Sequence, residues 1–379
     1  MATPHAPAEG PVEPPDEAPV EPKSVTVCLG TRPEAIKLAP LLRRLGDAAV
    51  VVYTGQHYDP VLAADVLCDL GLPPADDSLG VGGRHRGRQI GDATSLLTER
   101  LAAGGTRAVI VQGDTNAALA GALAANACGV PLLHVEAGLR SFDRAMPEEH
   151  NRVLIDHLAD VCAAPTFGNR DNLLAERIAP ERIVVTGNTV VESVAELVPD
   201  PATRAAAVAR LGVEARRYVL ATVHRPENVD QPGVLVDLLA QLAGGPLPVV
   251  VPLHPRARTR LERDGAEAVL GEGGLRVVDP MPPRAFLAVA AEARLWVTDS
   301  GGLQEEATVL KRRALVVRRS TERPEALGTF SELIDRREVA ARIDAELAGT
   351  DDHLAEVASP FGDGRATDRL LAEVRKLVA

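Results

Sequence analysis

The segment TDSGGLQEE (298–306) combines groups that bind phosphate with groups that bind sugar hydroxyls. It follows a short apolar run, so the pattern predicts a strand that turns directly into a helix. Gly301 and Gly302 let the backbone approach an anion, and the first free N–H groups of the helix point towards it. Glu305 and Glu306, about one turn on, suit ribose hydroxyls. The order favours a nucleotide site, although an ordinary strand–helix turn with a dipole-favoured acidic first turn is the alternative.

Two other predicted strand ends carry cationic side chains. GTRPEAIK (30–37) leaves Arg32 at the mouth of a turn, where its guanidinium fork fits a phosphate. Lys37, one turn on, reaches the same anion or is simply solvated. HRPEN (224–228) offers His224 to an anion, although an isolated histidine is more often structural. These positions favour anion binding near the glycine turn.

Carboxylates form a second group of candidate residues. Asp114 in GDTN, taken alone, is more often a helix cap than a catalyst, and Thr115 beside it is another cap candidate. Glu136 directly follows an apolar run, where a carboxylate is costly unless it is paired or used, so a functional role is favoured. In MPEEHNR, Glu148 and Glu149 open a helix. The helix dipole is a sufficient explanation for Glu149, whereas Glu148 is left open.

Alternating strands and helices must position these groups. β-Rich runs alternate with Ala- and Leu-rich helical stretches, which is typical of parallel sheets with helices on both faces. One sheet of eleven strands would be unusually large, so we predict two sheets in two domains, with the break near 198–201. Ligands of such sheets bind beyond the carboxyl ends of the strands, so these turns are expected to face one cleft. The predicted strands are 25–29, 50–54, 108–112, 132–135, 161–164, 183–186, 218–222, 247–252, 275–278, 295–298 and 314–317, and the predicted helices include 33–45, 116–128, 148–158, 188–197 and 233–242.

Composition and charge restrict the possible functions. The 379 residues carry a net charge of −12, which argues against a nucleic-acid-binding surface. No apolar stretch reaches the ~18 residues that a membrane helix needs. Residues 1–23 are rich in Pro, Glu and Ala and predict a disordered tail without the features of a secretory signal. We therefore expect a cytoplasmic protein without a membrane partner.

The cysteines and the glycine motifs exclude further classes. Cys28, Cys68, Cys128 and Cys162 are widely spaced in apolar contexts, which favours buried thiols over a metal site or disulfide framework. The chain contains no GxxxxGK[ST], no complete GxGxxG and no GxSxG. Their absence argues against P-loop, nicotinamide-binding and serine-hydrolase functions.

Nine short motifs occur in order along the chain: GTRPEAIK (30–37), TGQH (54–57), GDTN (113–116), HVEAGLR (134–140), PEEHNR (147–152), TGNTV (186–190), HRPEN (224–228), DSGGLQEE (299–306) and TERPEALGT (321–329). Together they strongly resemble the non-hydrolysing UDP-N-acetylglucosamine 2-epimerases. The resemblance extends from Val25 to the C terminus, including PFGDGRATDRL (360–370). It implies a GT-B-like α/β fold of two Rossmann-like domains, 24–198 and 199–358, with a cleft between them and a C-terminal helix, 359–379, crossing back to the first.

The resemblance also implies an activity and its residues. The expected reaction inverts the sugar C2 centre of UDP-GlcNAc to give UDP-ManNAc, without a metal or nicotinamide cofactor, in a homodimer. Phe286 matches the position of the uracil pocket. The motif match places active-site roles on Arg32, Lys37, Asp114, Glu136, Glu148 and His224, and UDP-binding roles on Arg32, His224, Phe286, Ser300, Gly301, Gly302, Glu306 and Arg323.

These residue types suit one chemical scheme. The C2 hydrogen is not adjacent to a carbonyl, so loss of the diphosphate from C1 must lead and acidify it. Our hypothesis is elimination to a glucal-type alkene, then re-addition of UDP with a proton delivered to the opposite face. The scheme needs cations and a helix end around the diphosphate and acid/base groups on both ring faces. Which carboxylate serves which face is left open.

The chain departs from the family pattern at two places. Many members have a second Arg, which helps to hold an activating sugar nucleotide, where this chain has Pro226. Asp59 and Pro60 also depart after TGQH, so we predict weak or absent activation by UDP-GlcNAc. SFDRAM (141–146) is shorter than in many members and resembles a branch acting on modified substrates, such as diacetamido uronic acids.

Three other functions stay open as alternatives. A hydrolysing 2-epimerase would release UDP and free ManNAc from a similar fold. A GT-B glycosyltransferase is less favoured, because several cleft carboxylates suit proton transfer better than sugar transfer. A sugar-nucleotide sensor would bind without turnover. Whether a product would enter polysaccharide biosynthesis is not decided by the sequence.

Overall fold

A computed structural model describes residues 20–56, 66–271 and 273–379. Most of the predicted tail, residues 1–19, lies outside these residues, as do His57, Asp59 and Pro60. The strands that the structure describes are β1 Val25–Leu29, β2 Ala49–Tyr53, β3 Asp77–Ser78, β4 Ala108–Gln112, β5 Leu132–Val135, β6 Val161–Ala164, β7 Ile183–Val185, β8 Val219–Thr222, β9 Val249–Pro252, β10 Leu275–Val278, β11 Leu295–Thr298, β12 Ala314–Val317 and β13 Ser331–Ile334.

Helices connect these strands almost throughout. The α-helices described are α1 Arg32–Leu45, α2 Arg86–Ala102, α3 Asn116–Cys128, α4 Pro147–Leu158, α5 Phe167–Ala175, α6 Val190–Leu197, α7 Pro201–Arg210, α8 Pro226–Val229, α9 Val234–Ala243, α10 Pro255–Asp264, α11 Pro283–Glu292, α12 Gly301–Leu310, α13 Val339–Ala348 and α14 Ala366–Val378. Each predicted helix is present, with its ends displaced by at most two residues.

The strands form two parallel sheets, as predicted. The first has the order β3-β2-β1-β4-β5-β6-β7 and the second the order β10-β9-β8-β11-β12-β13. Each of the eleven predicted runs contains a strand, but β3 and β13 were not predicted. Both are edge strands, and their sequences, Asp-Ser and Ser-Glu-Leu-Ile, lack the β-branched runs of the central strands.

Both faces of the first sheet are covered by apolar side chains. On β1, Val25, Val27 and Leu29 belong to the same buried cluster as residues of α1, whereas Cys28 belongs to the cluster on the opposite face. Successive residues of a strand point to opposite faces, so a strand buried on both sides is apolar throughout. This explains why β1 was readily predicted.

The last helix lies against the first. Leu370 and Val374 of α14 share the buried cluster that contains Leu38 and Leu41 of α1. The contact brings the C-terminal segment to the face of the first sheet. The boundaries 24–198, 199–358 and 359–379 themselves stay a prediction.

Strand order places the functional site. In the first sheet β1 lies between β2 and β4, and in the second β8 lies between β9 and β11. At such a reversal the helices that follow neighbouring strands lie on opposite faces, which leaves a crevice at the strand ends. The turns after β1, β4, β8 and β11 all begin at these crevices.

The cysteines differ in part from expectation. Cys28 and Cys162 are buried, and burial raises the pKa of both thiols to about 12. Cys128 is partly buried, while Cys68 is exposed, so the prediction of a buried thiol is wrong there. Cys68 lies just before the Leu70–Gly71 turn that ends its apolar segment, which leaves its side chain at the surface.

Candidate active site

A cavity of about 510 Å³ lies at the carboxyl ends of the central strands of both sheets. It brings together residues that are up to 292 positions apart, from Thr31 to Arg323. Its lining contains every predicted site residue, namely Arg32, Lys37, Asp114, Glu136, Glu148, His224, Phe286, Ser300, Gly301, Gly302, Glu306 and Arg323. Their roles stay predictions, but their convergence on one cavity is a property of the fold.

The glycine turn presents an uncapped helix end to this cavity. Ser300 is the N-cap of α12, and its side chain makes no capping hydrogen bond. A Cβ added at Gly302 would meet nothing within 4 Å, so this side of the turn is open. A Cβ at Gly301 would lie 2.3 Å from Glu322 Oε1 and 2.6 Å from Arg323 Nη1. Gly302 therefore leaves space for a ligand, whereas Gly301 leaves space for an ion pair.

His224 is oriented by a carboxylate that the sequence analysis did not single out. Asp299 is fully buried and lies 2.9 Å from His224 Nδ1, while the His224 side chain is 46% exposed. Asp299 also accepts hydrogen bonds from the backbone N–H of Arg225 at 2.9 Å and from Asn228 Nδ2 at 3.1 Å. Burial alone would raise the pKa of Asp299, but these donors and His224 lower it. The ionised carboxylate leaves His224 Nε2 for a ligand.

Arg32 lies where the half of the chain that contains the first sheet meets the half that contains the second sheet. Its Nη2 donates a hydrogen bond to the carbonyl of Met281 at 2.8 Å. Burial lowers the pKa of Arg32, and the charge of Glu306 opposes this shift. Burial also raises the pKa of Glu306 to about 7, with Lys37 opposing.

Lys37 is buried and not solvated, so that sequence-based alternative is wrong. Contact with a bound anion stays a prediction, because Lys37 lines the cavity. Its side chain contacts Glu136 Oε1 and lies 2.7 Å from Glu305 Oε2. Opposite charges raise the pKa of Lys37 although burial alone would lower it. Its position on α1, one turn after Arg32, places the side chain on the buried side of the cavity lining.

Glu136 combines backbone strain with buried charge. Its φ is +71°, in the left-handed region that residues other than glycine seldom adopt. Gln112 Nε2 donates to its Oε2, and Asn188 Nδ2 donates to its Oε1 at 2.9 Å. Burial favours the neutral acid, yet Lys37 and Arg323 outweigh it and lower the pKa of Glu136 to about 2. A strained residue in such surroundings is typical of functional sites.

Asp114 is held by an arginine and is not a helix cap. Thr115 is the cap of α3, because its Oγ1 accepts from the backbone N–H of Ala118 at 3.0 Å. Asp114 instead pairs with Arg152, whose Nε lies 3.1 Å from Asp114 Oδ2. Opposite charges raise the pKa of Arg152, against the effect of burial. Arg152 thus donates two hydrogen bonds, from Nε and Nη2, to Asp114 Oδ2 and orients this carboxylate towards the cavity.

Glu149 does more than complement a helix dipole. It is buried and accepts hydrogen bonds from Ser141 Oγ at 2.9 Å and from the backbone N–H of Phe142 at 2.9 Å. Its Oε2 also lies 2.7 Å from Arg152 Nη1. Glu149 therefore fixes the short loop 141–146, and the sequence-based interpretation of this residue is wrong. Glu148, its exposed neighbour, lines the cavity.

A buried ionic network supports the turn that carries Asp114. His134 is fully buried, with Nδ1 2.7 Å from Asp156 Oδ1 and Nε2 2.8 Å from the carbonyl oxygen of Gly113. The Gly113 carbonyl only accepts hydrogen bonds, so Nε2 carries a hydrogen. Arg140 Nη2 also lies 2.7 Å from Asp156 Oδ2. Burial would raise the pKa of Asp156, but His134 and Arg140 lower it.

Glu34 joins two turns at the rim of the cavity. It is buried and accepts hydrogen bonds from Thr31 Oγ1 at 2.8 Å, Thr115 Oγ1 at 2.8 Å and the backbone N–H of Gly30 at 3.1 Å. Burial raises the pKa of Glu34 to about 7, with these hydrogen bonds opposing. A carboxylate in the first turn of a predicted helix was the one sequence signal for this residue.

The described part of the chain contains neither a metal-type cluster nor a membrane-type helix. Within residues 20–56, 66–271 and 273–379, no group of three or more His, Cys, Asp or Glu is arranged to hold a metal ion. Over the same residues, no helix has the length and apolar character required to cross a bilayer.

Two parallel α/β sheets with a polar cleft between their carboxyl edges define a GT-B-like protein. The chain belongs to the UDP-N-acetylglucosamine 2-epimerase family, whose model matches residues 42–375. It is 34% identical over 353 residues to a UDP-N-acetylglucosamine 2-epimerase of Methanococcus maripaludis, covering 90% of this chain and 95% of that protein. The members of this family are epimerases, and hence isomerases.

Two further comparisons bear on ligand and substrate. A crystal structure of Methanocaldococcus jannaschii UDP-GlcNAc 2-epimerase in complex with UDP-GlcNAc and UDP is similar with a TM-score of 0.83 and 32% identity, covering 93% of this chain and 99% of that one. A UDP-2,3-diacetamido-2,3-dideoxy-D-glucuronate 2-epimerase of Pseudomonas aeruginosa is 31% identical over 362 residues, covering 93% of this chain and 99% of that protein.

Proposed function

We propose that this protein is a non-hydrolysing UDP-N-acetylglucosamine 2-epimerase that interconverts UDP-GlcNAc and UDP-ManNAc. One observation carries the proposal: a single cavity is lined both by an uncapped helix end with cationic neighbours and by Asp114, Glu136 and Glu148. The first group suits a diphosphate and the second suits proton transfer at a sugar carbon. The similarity to a structure in complex with UDP-GlcNAc and UDP supports the same ligand here.

The diphosphate end performs the first step. The α12 N terminus, with Ser300 and Gly302, faces the negative charge that develops when the C1–O bond breaks, and His224 stands beside it. Preorganised donors of this kind stabilise a developing charge at little reorganisation cost. Phe286 and Glu306 line the same cavity and are proposed to receive uracil and ribose.

The carboxylates perform the second step. Positive charge at C1 acidifies the C2 hydrogen, which one carboxylate accepts as the C1=C2 bond forms. A second carboxylate delivers a proton to C2 from the opposite face, and the retained UDP adds back to C1. Arg152 pairs with Asp114 and orients its carboxylate, and Lys37 does the same for Glu136. Two acid/base groups therefore reach the cavity from different strand ends.

A heavy-water experiment tests this scheme. UDP-GlcNAc incubated with the enzyme in deuterium oxide is expected to give UDP-ManNAc with deuterium at C2 and with the nucleotide still attached. Free ManNAc with UDP would instead establish the hydrolysing alternative, and epimerised product without deuterium would rule out proton exchange. Tight UDP binding without turnover of any hexosamine nucleotide would establish a sensor. Asp114→Asn should abolish exchange, while Asp171→Asn, at an exposed position of α5, should retain it.

A modified UDP-sugar is the second candidate substrate. The 31% identity to a diacetamido-glucuronate epimerase favours it, because the identity to UDP-GlcNAc epimerases is of the same order. A panel of UDP-hexosamines and UDP-diacetamido uronic acids, compared by kcat/KM, decides between them.

Several finer features belong to the same proposal. We expect weak or absent activation by UDP-GlcNAc, since Pro226 begins α8 and offers no cation. This expectation would be contradicted if the rate curve were sigmoidal and if substitutions near Gln56 abolished that sigmoidal shape. We also propose the domain division given above and the absence of a nucleic-acid partner. We further propose that the protein is a homodimer, which light scattering would test, and that it is cytoplasmic, which cell fractionation would test.

A further inference from the structure

Glu305 is a buried carboxylate that the mechanism above does not use. It belongs to α12, which follows the second sheet, and is 1% exposed. Among the described residues, Glu136 and Glu306 line the cavity, and Glu305 lies behind them. A carboxylate at such depth requires compensation by donors or cations.

One hydrogen-bond donor and two cations are shared between Glu305 and Glu136. Asn188 Nδ2 donates to Glu136 Oε1 at 2.9 Å and to Glu305 Oε1 at 3.0 Å. Lys37 Nζ contacts Glu136 and lies 2.7 Å from Glu305 Oε2. Arg323 places Nε 2.7 Å from Glu305 Oε1 and Nη2 3.4 Å from Glu136 Oε1. These shared partners join the two carboxyl groups into one pair across the two halves.

The two members of this pair suit different tasks. Glu136 reaches the cavity, but the neighbouring cations lower its pKa to about 2, against the effect of burial. Burial raises the pKa of Glu305 to about 7, with Arg323 opposing. An acid/base group is most effective when its pKa lies near the working pH.

We propose that Glu136 and Glu305 act as one acid/base unit, in which Glu136 exchanges a proton with sugar C2 and Glu305 stores it. This inference rests on the proposed function. When the C2–H bond breaks, its electrons form the C1=C2 bond, the C1–O bond electrons leave with UDP, and the proton goes to Glu136. The proton then passes to Glu305, which leaves Glu136 ionised; the reverse reaction returns it. Glu305 does not touch the sugar and is a positioning residue.

Both domains contribute to the electrostatics of this unit. Two cations, Lys37 and Arg323, balance two anions when both carboxyl groups are ionised, so the base form of the unit is neutral as a whole. Further charge faces it from the neighbouring elements. The titratable groups around the pair are Lys37 on α1, Asp114 after β4, Glu306 on α12, and Glu322 and Arg323 after β12.

Glu305→Gln removes the storage site while keeping the shape of the side chain. Glu136 is then alone between two cations and is a weaker base. We expect kcat to fall about 100-fold with KM little changed. The limb of the kcat–pH profile that lies near neutrality in the wild type should move to lower pH by about one unit or more. UDP affinity by calorimetry should be unchanged, because the groups proposed to bind UDP are intact.

Glu305→Asp provides a second, conservative variant. It keeps an ionisable carboxyl group, so it should retain the near-neutral limb and recover part of kcat. It also keeps the inference testable if the Gln variant does not fold. Glu325→Gln is the matched control, because Glu325 accepts a hydrogen bond from Thr166 Oγ1 at 2.5 Å across the same two halves without contacting Glu136. Its kcat and pH profile should be those of the wild type.

The outcomes separate this inference from the function on which it rests. An active wild type with unchanged kcat and pH profile in Glu305→Gln overturns the inference alone. Equal losses in both Glu305 variants without a displaced limb also overturn it, since they would show a merely structural role. A wild type that does not epimerise UDP-sugars overturns the proposed function and the inference together.

Discussion

Substitution of the two adjacent glycines at the start of α12 should have different consequences. A Cβ at position 301 would lie 2.3 Å from Glu322 Oε1 and 2.6 Å from Arg323 Nη1. Both contacts are shorter than real Cβ contacts, and the Glu322 carboxylate and the Arg323 guanidinium are themselves buried and paired with each other. Gly301→Ala must therefore displace an ion pair. A Cβ at Gly302 meets nothing within 4 Å and only intrudes on the cavity.

The sizes of the two effects follow from this geometry. Overpacking of a well-packed site costs about 1–3 kcal/mol, so Gly301→Ala should lower the melting temperature by roughly 2–10 °C. Gly302→Ala should melt like the wild type but bind UDP about tenfold more weakly, which is about 1.4 kcal/mol. At a UDP concentration of about 100 times the wild-type Kd, stabilisation by UDP should fall from about 2.7 to about 1.4 kcal/mol in that variant.

Thermal unfolding with and without UDP, together with calorimetric titration, measures both effects. Each variant serves as the control of the other, because they differ by one position in the same turn. Gly301→Ala with the wild-type melting temperature would show that the Glu322–Arg323 pair is not fixed as described. Gly302→Ala with the wild-type affinity would show that UDP phosphates do not bind at this helix end.

Three further predictions concern the buried ionic groups. Asp156→Asn leaves Arg140 without its counter-ion and His134 without its carboxylate partner, and it should lower the free energy of unfolding by about 3–5 kcal/mol at neutral pH. Because the pKa of Asp156 is lowered, its contribution to stability is present above the ordinary pKa of 3.8 and is lost as the pH falls through the lowered pKa. In urea unfolding, the difference in free energy between wild type and variant should therefore shrink below about pH 4. An equal difference at neutral pH and below pH 4 would contradict this. Asp299→Asn should lower kcat about 100-fold by misplacing His224, and it should also lower the melting temperature, because the buried carboxylate accepts several hydrogen bonds. An unchanged kcat would refute the orienting role. Arg152→Lys removes the contact in which two guanidinium N–H groups bind Asp114, and kcat should fall by about tenfold or more. A pH profile should show that the variant stays below the wild-type kcat at every pH.

Sequence alone sufficed for the repeated βα architecture. The apolar runs of the central strands, such as Val25–Leu29, are buried on both faces, and that burial is written directly into residue type. The glycine turn and the polar residues after the strands were predictable for the same reason, since parallel strands all present their carboxyl ends to one edge. The edge strands β3 and β13 lack this signature and could not be predicted.

The pairing of buried charges was decided only by the tertiary structure. A position one turn into a helix does not show whether Lys37 meets solvent, phosphate or carboxylate; its partners Glu136 and Glu305 are 99 and 268 residues away along the chain. The same holds for Glu149 and Asp114, whose common partner Arg152 becomes visible only when α4 packs beside the turn after β4. Local pattern fixes secondary structure through short-range sterics and burial, whereas the electrostatics of a cleft depend on which distant side chains the fold brings within a few ångströms.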